Sequence, residues 1–152
     1  MIIWSILAVL IIVLDRITKY LVVSNIALGE SITVIPKLFD FTYVKNTGAA
    51  FSVLSNATWL LSIISVVFSI LILVYFIVKK PKYKLLRVSL LLIFAGAVGN
   101  AIDRIALGYV IDFIQTTFME FPVFNVADIA ITCGAVLLIV YELFFNPDEK
   151  KG

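Results

Sequence analysis

The chain has no histidine among its 152 residues. That absence removes Ser-His-Asp and Cys-His catalysis, and with them the usual His-rich zinc sites. A single cysteine, Cys133, rules out an intramolecular disulfide. It lies in the apolar run Ile129 to Val140 and reads as a small buried hydrophobe. Charge is also scarce: charged residues make up 14% of the chain and hydrophobic ones 62%, with a mean hydropathy of +1.13. A soluble domain carries about 25% charged residues, so most of this chain is surrounded by lipid. The net charge of +2 is too small for nucleic-acid binding, and no basic patch is interleaved with exposed aromatics. Hydrolytic chemistry, if present, must come from carboxylates, lysine or hydroxyls.

What the chain has instead is long apolar runs. A membrane crossing takes about 20 mostly apolar residues. Four segments qualify, at about residues 2–23, 58–78, 85–107 and 126–145. The N-terminus has no basic leader and no Ala-x-Ala site after the apolar stretch, so the first segment is read as a retained helix rather than a cleaved signal. Lys79, Lys80, Lys82, Lys84 and Arg87 lie between the second and third segments, and Lys150 and Lys151 in the tail. The two loops on the other side carry only Lys37 and Lys45. Lysine and arginine favour the cytoplasmic side, which places both termini and the middle loop there. Residues 24–57 and 108–125 are then outside. Glu30 to Val44 is rich in Thr, Val, Ile, Phe and Tyr, and reads as one or two short strands broken at Pro36. The expected fold is an all-α membrane protein, one domain over residues 1–152. It is a four-transmembrane-helix bundle with a small extracytoplasmic β-rich segment and a lid loop.

Charges inside spans are costly, about 2.5–3.5 kcal/mol each on insertion scales, so their positions carry information. Counting 1.5 Å per residue from Ile2, Asp15 lies roughly 20 Å above the cytoplasmic side. Lys19 is one turn higher on the same face. Asn100 lies equally high in the third segment, with Asp103 and Arg104 on its face. Asp112 sits just beyond that segment, and Asn125 and Asp128 open the fourth. All fall at the outer end, while the inner halves are nearly bare of charge. Each group has a plain structural alternative. Asp15 and Lys19 can be an ion pair that snorkels, Asp103 and Arg104 an interfacial anchor, and Asn125 to Asp128 an ordinary helix cap. Three segments bringing polar groups to one depth weaken these alternatives jointly. Ala95, Gly96, Ala97, Gly99 and Ala101 let the third segment approach a neighbour closely.

Four blocks resemble the lipoprotein signal peptidase (signal peptidase II) family: Asp15-Arg-Ile-Thr-Lys19; Lys45-Asn46-Thr-Gly48-Ala-Ala-Phe51-Ser52; Gly96-Ala-Val-Gly99-Asn100-Ala-Ile-Asp103-Arg104, running on to Gly108-Tyr-Val-Ile-Asp112-Phe113; and Phe124-Asn125-Val-Ala127-Asp128. They occur in the family's order and span essentially the whole chain. The departures are minor: Ala95-Gly96 where the family often has Gly-Gly, and Arg16 where it often has glutamine. Neither position is expected to do chemistry, and Arg16 is assigned to lipid head-group contacts.

The resemblance implies an aspartic endopeptidase of the bacterial cytoplasmic membrane, without metal or cofactor, working at the outer face. Its substrate would be a prolipoprotein carrying diacylglycerol on a cysteine, cut just before that cysteine, with the lipid chains in the surrounding membrane lipids. A monomer is expected. By motif the catalytic pair maps onto Asp112 and Asp128. Residue types alone do not force that choice, since Asp103 is as acidic and as near the outer face; its neighbour Arg104 suits it to an organising role. Asn46, Asn100, Arg104 and Asn125 would bind substrate backbone or orient the pair. Asp15 and Lys19 would hold the first helix's face, and Gly48 a tight turn in a loop that clamps substrate. The main rival is a small transporter or proton relay, which needs polar groups through both leaflets; a noncatalytic scaffold is the other.

Overall fold

The computed structural model describes residues 2–48 and 58–145. Apolar runs uninterrupted by proline wind into four helices: α1 (Ile2–Asn25), α2 (Thr58–Lys79), α3 (Lys84–Leu107) and α4 (Val126–Phe144). Pro36, Pro81 and Pro122 all fall between elements, where a missing N–H breaks no helical hydrogen bond. Among the described residues three helices, α2, α3 and α4, are long and apolar enough to cross a membrane. α1 has 24 residues but carries Asp15, Arg16 and Lys19. The polarity is inverted relative to a soluble protein. Val78 is 67%, Ile105 68% and Leu143 66% exposed, whereas Asp15 and Lys19 are 1% and Asp103 0% exposed. Apolar side chains outside and charges inside are what a lipid solvent selects.

Small residues set the closest helix approach. A Cβ on Gly96 would lie 2.3 Å from the Ala127 carbonyl oxygen, and one on Gly134 2.7 Å from that of Ser89. Within the stripe read from the sequence, Gly96 lies on the seam between α3 and α4, Gly99 faces both Asp15 of α1 and Ala127 of α4, and Ala95 packs with Ala8 of α1. Cys133 is exposed, which corrects its reading as a buried hydrophobe: in lipid, an apolar run does not imply burial.

Three antiparallel strands cap one end of the bundle in the order β1-β2-β3: β1 (Ser31–Ile35), β2 (Phe39–Asn46) and β3 (Val110–Thr116). The break between β1 and β2 is at Pro36, as expected; β3 was not anticipated. Its residues Val110, Ile111, Asp112 and Phe113 are all buried, so no alternation marks it as a strand. Val22, Ile26, Tyr43, Ile111 and Phe113 pack together and fasten the sheet to the C-terminal end of α1. Gly108 (φ 80°) ends α3, its N–H donating to the Arg104 carbonyl. A left-handed glycine here turns the chain from helix into β3 within two residues. Residues 49–57, most of the expected lid loop, lie outside the described residues.

Candidate active site

The site forms where α1, α3, β3 and the start of α4 meet. Asn125 organises it. As N-cap of α4, its side-chain oxygen accepts the Asp128 N–H at 2.9 Å, and Asp128 Oδ2 accepts the Asn125 N–H at 3.1 Å. This reciprocal cap fixes the Asp128 side chain. With its oxygen so engaged, the Asn125 amide nitrogen points the other way, donating to Asp112 Oδ1 at 2.6 Å and to Asn100 Oδ1 at 3.1 Å. The capping alternative is therefore real, and it coexists with a role at the site: one residue grips both acids.

Asp112 is aimed by strand register. A bulge between Phe41 and Val44 adds one residue to β2, so that Val44 faces Asp112. Asn46, two residues on, then shares the face of Asp112 diagonally. Its amide nitrogen reaches Asp112 Oδ2 at 2.8 Å, while its oxygen accepts the Gly48 N–H at 2.9 Å. Without the bulge, a one-residue slip would send Asn46 to the opposite face.

Asn100 donates to Asp128 Oδ1 at 2.7 Å, and its oxygen accepts from Lys19 Nζ at 3.1 Å. Lys19 also pairs with Asp15 Oδ2 at 2.9 Å and Asp103 Oδ2 at 2.7 Å. Its three N–H donors thus have three partners. The carboxylates it neutralises in turn hold backbone. Asp15 Oδ1 accepts the Ala127 N–H at 3.1 Å, and Asp103 Oδ2 the Ile111 N–H at 3.2 Å. These two amides immediately precede Asp128 and Asp112.

Two expectations change. Asp103 has no ion pair with Arg104; its partners are Lys19 and Arg16, the latter at 2.6 Å. Arg16 also lies 3.2 Å from Asp15, so it reaches into the cluster while about a third of its side chain stays exposed. Arg104 instead donates to the Gly48 carbonyl at 3.4 Å, and its buried Nε has no hydrogen-bond partner among the described residues.

Asp112 and Asp128 line one cavity of about 400 Å³ with Asn46, Asn100 and Arg104 on its polar side. Phe121, Val123, Phe124, Ile129, Ile131 and Cys133 contribute an apolar side. Burial, and next the charge of Asp128, push the Asp112 carboxyl up to about 7, against the opposing hydrogen bonds from Asn46 and Asn125 and the charge of Lys19. A carboxyl with that affinity can hold a proton near neutrality beside an ionised neighbour, the arrangement general acid–base chemistry on water requires.

Fold and site together define a helical membrane protein with a paired-carboxylate centre beneath a small sheet. The comparisons with known proteins narrow this. The family model described as Signal peptidase (SPase) II matches residues 7–144. The lipoprotein signal peptidase of Enterococcus faecalis is 39% identical over 153 residues, covering 100% of this chain and 94% of its own. That of Latilactobacillus sakei is 41% identical, covering 92% and 93%. A bacterial membrane enzyme solved by the in meso method at 2.3 Å superposes with a TM-score of 0.90 at 34% identity, over 98% of this chain and 92% of that one. The chain belongs to the signal peptidase II family: it is a protease and a bacterial membrane protein.

Proposed function

We propose that this chain removes signal peptides from diacylglyceryl-modified prolipoproteins, cutting just before the lipidated cysteine, with Asp112 and Asp128 as the catalytic pair. The observation that carries the assignment is the double grip of Asn125, which donates to Asp112 and caps Asp128 at the wall of one cavity. The relatives named lipoprotein signal peptidase support the substrate class.

In this reading the pair shares one proton. The ionised carboxylate takes a proton from water as the water oxygen attacks the scissile carbonyl. The protonated partner gives its proton to the carbonyl oxygen. Collapse of the tetrahedral intermediate returns that proton to the pair, and the leaving amine takes the other. Arg104, with a buried N–H unpartnered among the described residues, is suited to a substrate carbonyl. Asn46 and Asn100 orient the acids, and the apolar wall receives the apolar signal segment.

All four helices cross the bilayer in this reading, since Asp15 and Lys19 of α1 are buried against the bundle rather than facing lipid. Both termini are cytoplasmic, on the lysine and arginine asymmetry of the loops. The sheet and the site then lie at the outer face, where water reaches the acids while the substrate stays in lipid. The enzyme acts as a monomer, and Gly48 belongs to a loop that closes over substrate.

The test is cleavage of a diacylglyceryl-modified prolipoprotein by the purified protein in detergent. Wild type cuts; Asp112→Asn and Asp128→Asn lose cleavage while melting normally; Asp103→Asn keeps a trace. An Asp112→Asn enzyme that still cuts beside a dead Asp103→Asn would show that the wrong acids are paired. A wild type that does not cut would reopen the transporter reading.

A further inference from the structure

The end of the bundle away from the sheet carries a basic patch and an apolar groove side by side. Across the turn from α2 to α3 stand Lys79, Lys80, Lys82, Lys84 and Arg87, with no acid from residue 79 to residue 87. Among the described residues the acid at this end is Glu142, exposed on α4. Helices α1 and α2 each pack on α3 and leave a groove between them. It holds about 240 Å³ and is walled by Trp4 and Ala8 of α1, Phe76 and Ile77 of α2, and Leu91 and Phe94 of α3. A second crease shares Leu73 and Phe94 with it and continues along α3 past Val98. An apolar gap of this size between close-packed helices gains dispersion contacts from a chain lying in it.

Arg87 joins the patch to the groove. Its guanidinium lies 5.8 Å from the ring centre of Trp4, which lines the groove. Its Nε donates to the Pro81 carbonyl, and its two terminal nitrogens have no hydrogen-bond partner among the described residues. Leu90, Leu91 and Phe94 follow at i+3, i+4 and i+7, so they share its face of α3. From Arg87 to Val98 is about 16 Å along the helix, close to half of a hydrocarbon core of about 30 Å. We infer that this is a binding site for an anionic phospholipid of the leaflet away from the carboxylate pair. The phosphate sits on Arg87, and one acyl chain runs along the groove. A guanidinium takes a phosphate through two parallel N–H bonds, and the lysines of the turn add to the local positive field. Lysines at a helix turn are ordinary topology signals; an arginine resting on Trp4 at the mouth of an apolar groove is more than that. The groove shares no residue with the cavity of Asp112 and Asp128, and the inference stands apart from the cleavage reaction.

The test uses the full chain in a neutral detergent with phosphatidylglycerol or phosphatidylcholine added, read by thermal melt and by the lipid retained in native mass spectrometry. Phosphatidylglycerol is expected to raise the wild-type melting temperature by about 5 °C at saturation, and phosphatidylcholine by much less, since a ligand held by the folded form stabilises it. Arg87→Gln should lose the difference between the two lipids and retain phosphatidylglycerol about tenfold less well. Leu73→Trp places an indole in the groove from a position that is 47% exposed, and should weaken retention to a similar extent with Arg87 intact. Lys82→Gln, on the turn but outside the groove, should keep it. Equal shifts from both lipids, or none, overturn the inference. So does a loss in Lys82→Gln as large as that in Arg87→Gln, which would mean diffuse attraction to the turn. A shift of the same size from inorganic phosphate alone would place a free anion on Arg87, and overturns it too. If Arg87→Gln does not fold, Leu73→Trp decides: undiminished retention overturns the inference, and a loss of about tenfold supports it.

Discussion

Three carboxylates are buried within one small region, with a fourth, Asp128, half-buried beside them, and the four are held in two different ways. Asp15 and Asp103 touch cations directly, sharing Lys19 and Arg16. Asp112 and Asp128 accept only from neutral amides: Asn46 and Asn125 on one, Asn100 and the Asn125 backbone on the other. Among the described residues no lysine or arginine lies within ion-pair distance of either. A full positive charge would lock a carboxylate ionised, which suits a brace. Amide donors orient the oxygens while leaving a proton free to come and go, which suits a reacting group. The same residue type thus takes two roles, set by what donates to it.

The strongest way to break this comparison is to remove the shared cation. Lys19→Met strands Asp15 and Asp103 with Arg16 as their sole counter-charge and takes a partner from Asn100. Loss of one partner of a buried pair costs about 3–5 kcal/mol. The variant is expected to unfold well below wild type in a detergent melt, with little active protein left. Asp112→Asn should do the reverse to stability. It removes an acid whose burial disfavours its charge, so its melting temperature at pH 8 should equal or exceed wild type while cleavage is lost. If Asp112→Asn melts as low as Lys19→Met, the two kinds of carboxylate do not differ as argued.

The apolar runs predict the helices to within two residues at each end, because lipid imposes a length and excludes charge together. Glu30 to Val44 gave its strands away through β-branched and aromatic residues around Pro36. What could not be read was anything that depends on how elements meet. β3 is covered on both faces and lacks alternation. The bulge that puts Asn46 beside Asp112 is a property of paired strands, not of either alone. Arg104 follows Asp103 in sequence, yet successive residues on a helix point about 100° apart. The two therefore face different neighbours, and only the packing of α1 on α3 brings Arg16 to Asp103. The motif positions Asn46, Asn100, Asp103, Arg104, Asp112, Asn125 and Asp128 come together; their division of labour follows from hydrogen bonds the sequence does not contain.

A smaller effect separates the two kinds of carboxylate by pH. Asp112 binds its proton more tightly in the folded protein, at about 7, than its ordinary value of 3.8. Between those values the folded form holds more protons than the unfolded one, so stability falls as pH rises. The contribution is fully present below about pH 4 and gone once pH passes about 7. Wild type should therefore melt at a lower temperature at pH 8 than at pH 5, by a few degrees, and Asp112→Asn should flatten that slope. A wild-type melting temperature independent of pH over this range would mean that Asp112 is not held as the geometry implies.

The finest test moves the proton affinity of Asp112 without removing the acid. A proton-sharing pair loses activity once both members ionise, so cleavage should fall as pH rises through about 7. Asn46 donates to Asp112 Oδ2 at 2.8 Å and so favours its charged form. In Asn46→Ala that support is gone, the carboxyl keeps its proton to higher pH, and the alkaline fall should move upward. Hydrogen bonds to charged groups are worth about 1.5–3 kcal/mol, and water in the cavity replaces part of that, so the expected displacement is about one pH unit or less. The same substitution frees the Gly48 N–H, which lowers the activity at every pH equally and leaves the midpoint where it was. Direction therefore decides the matter. An upward displacement of the alkaline midpoint ties the essential proton to Asp112, and a downward one or none assigns it to another group.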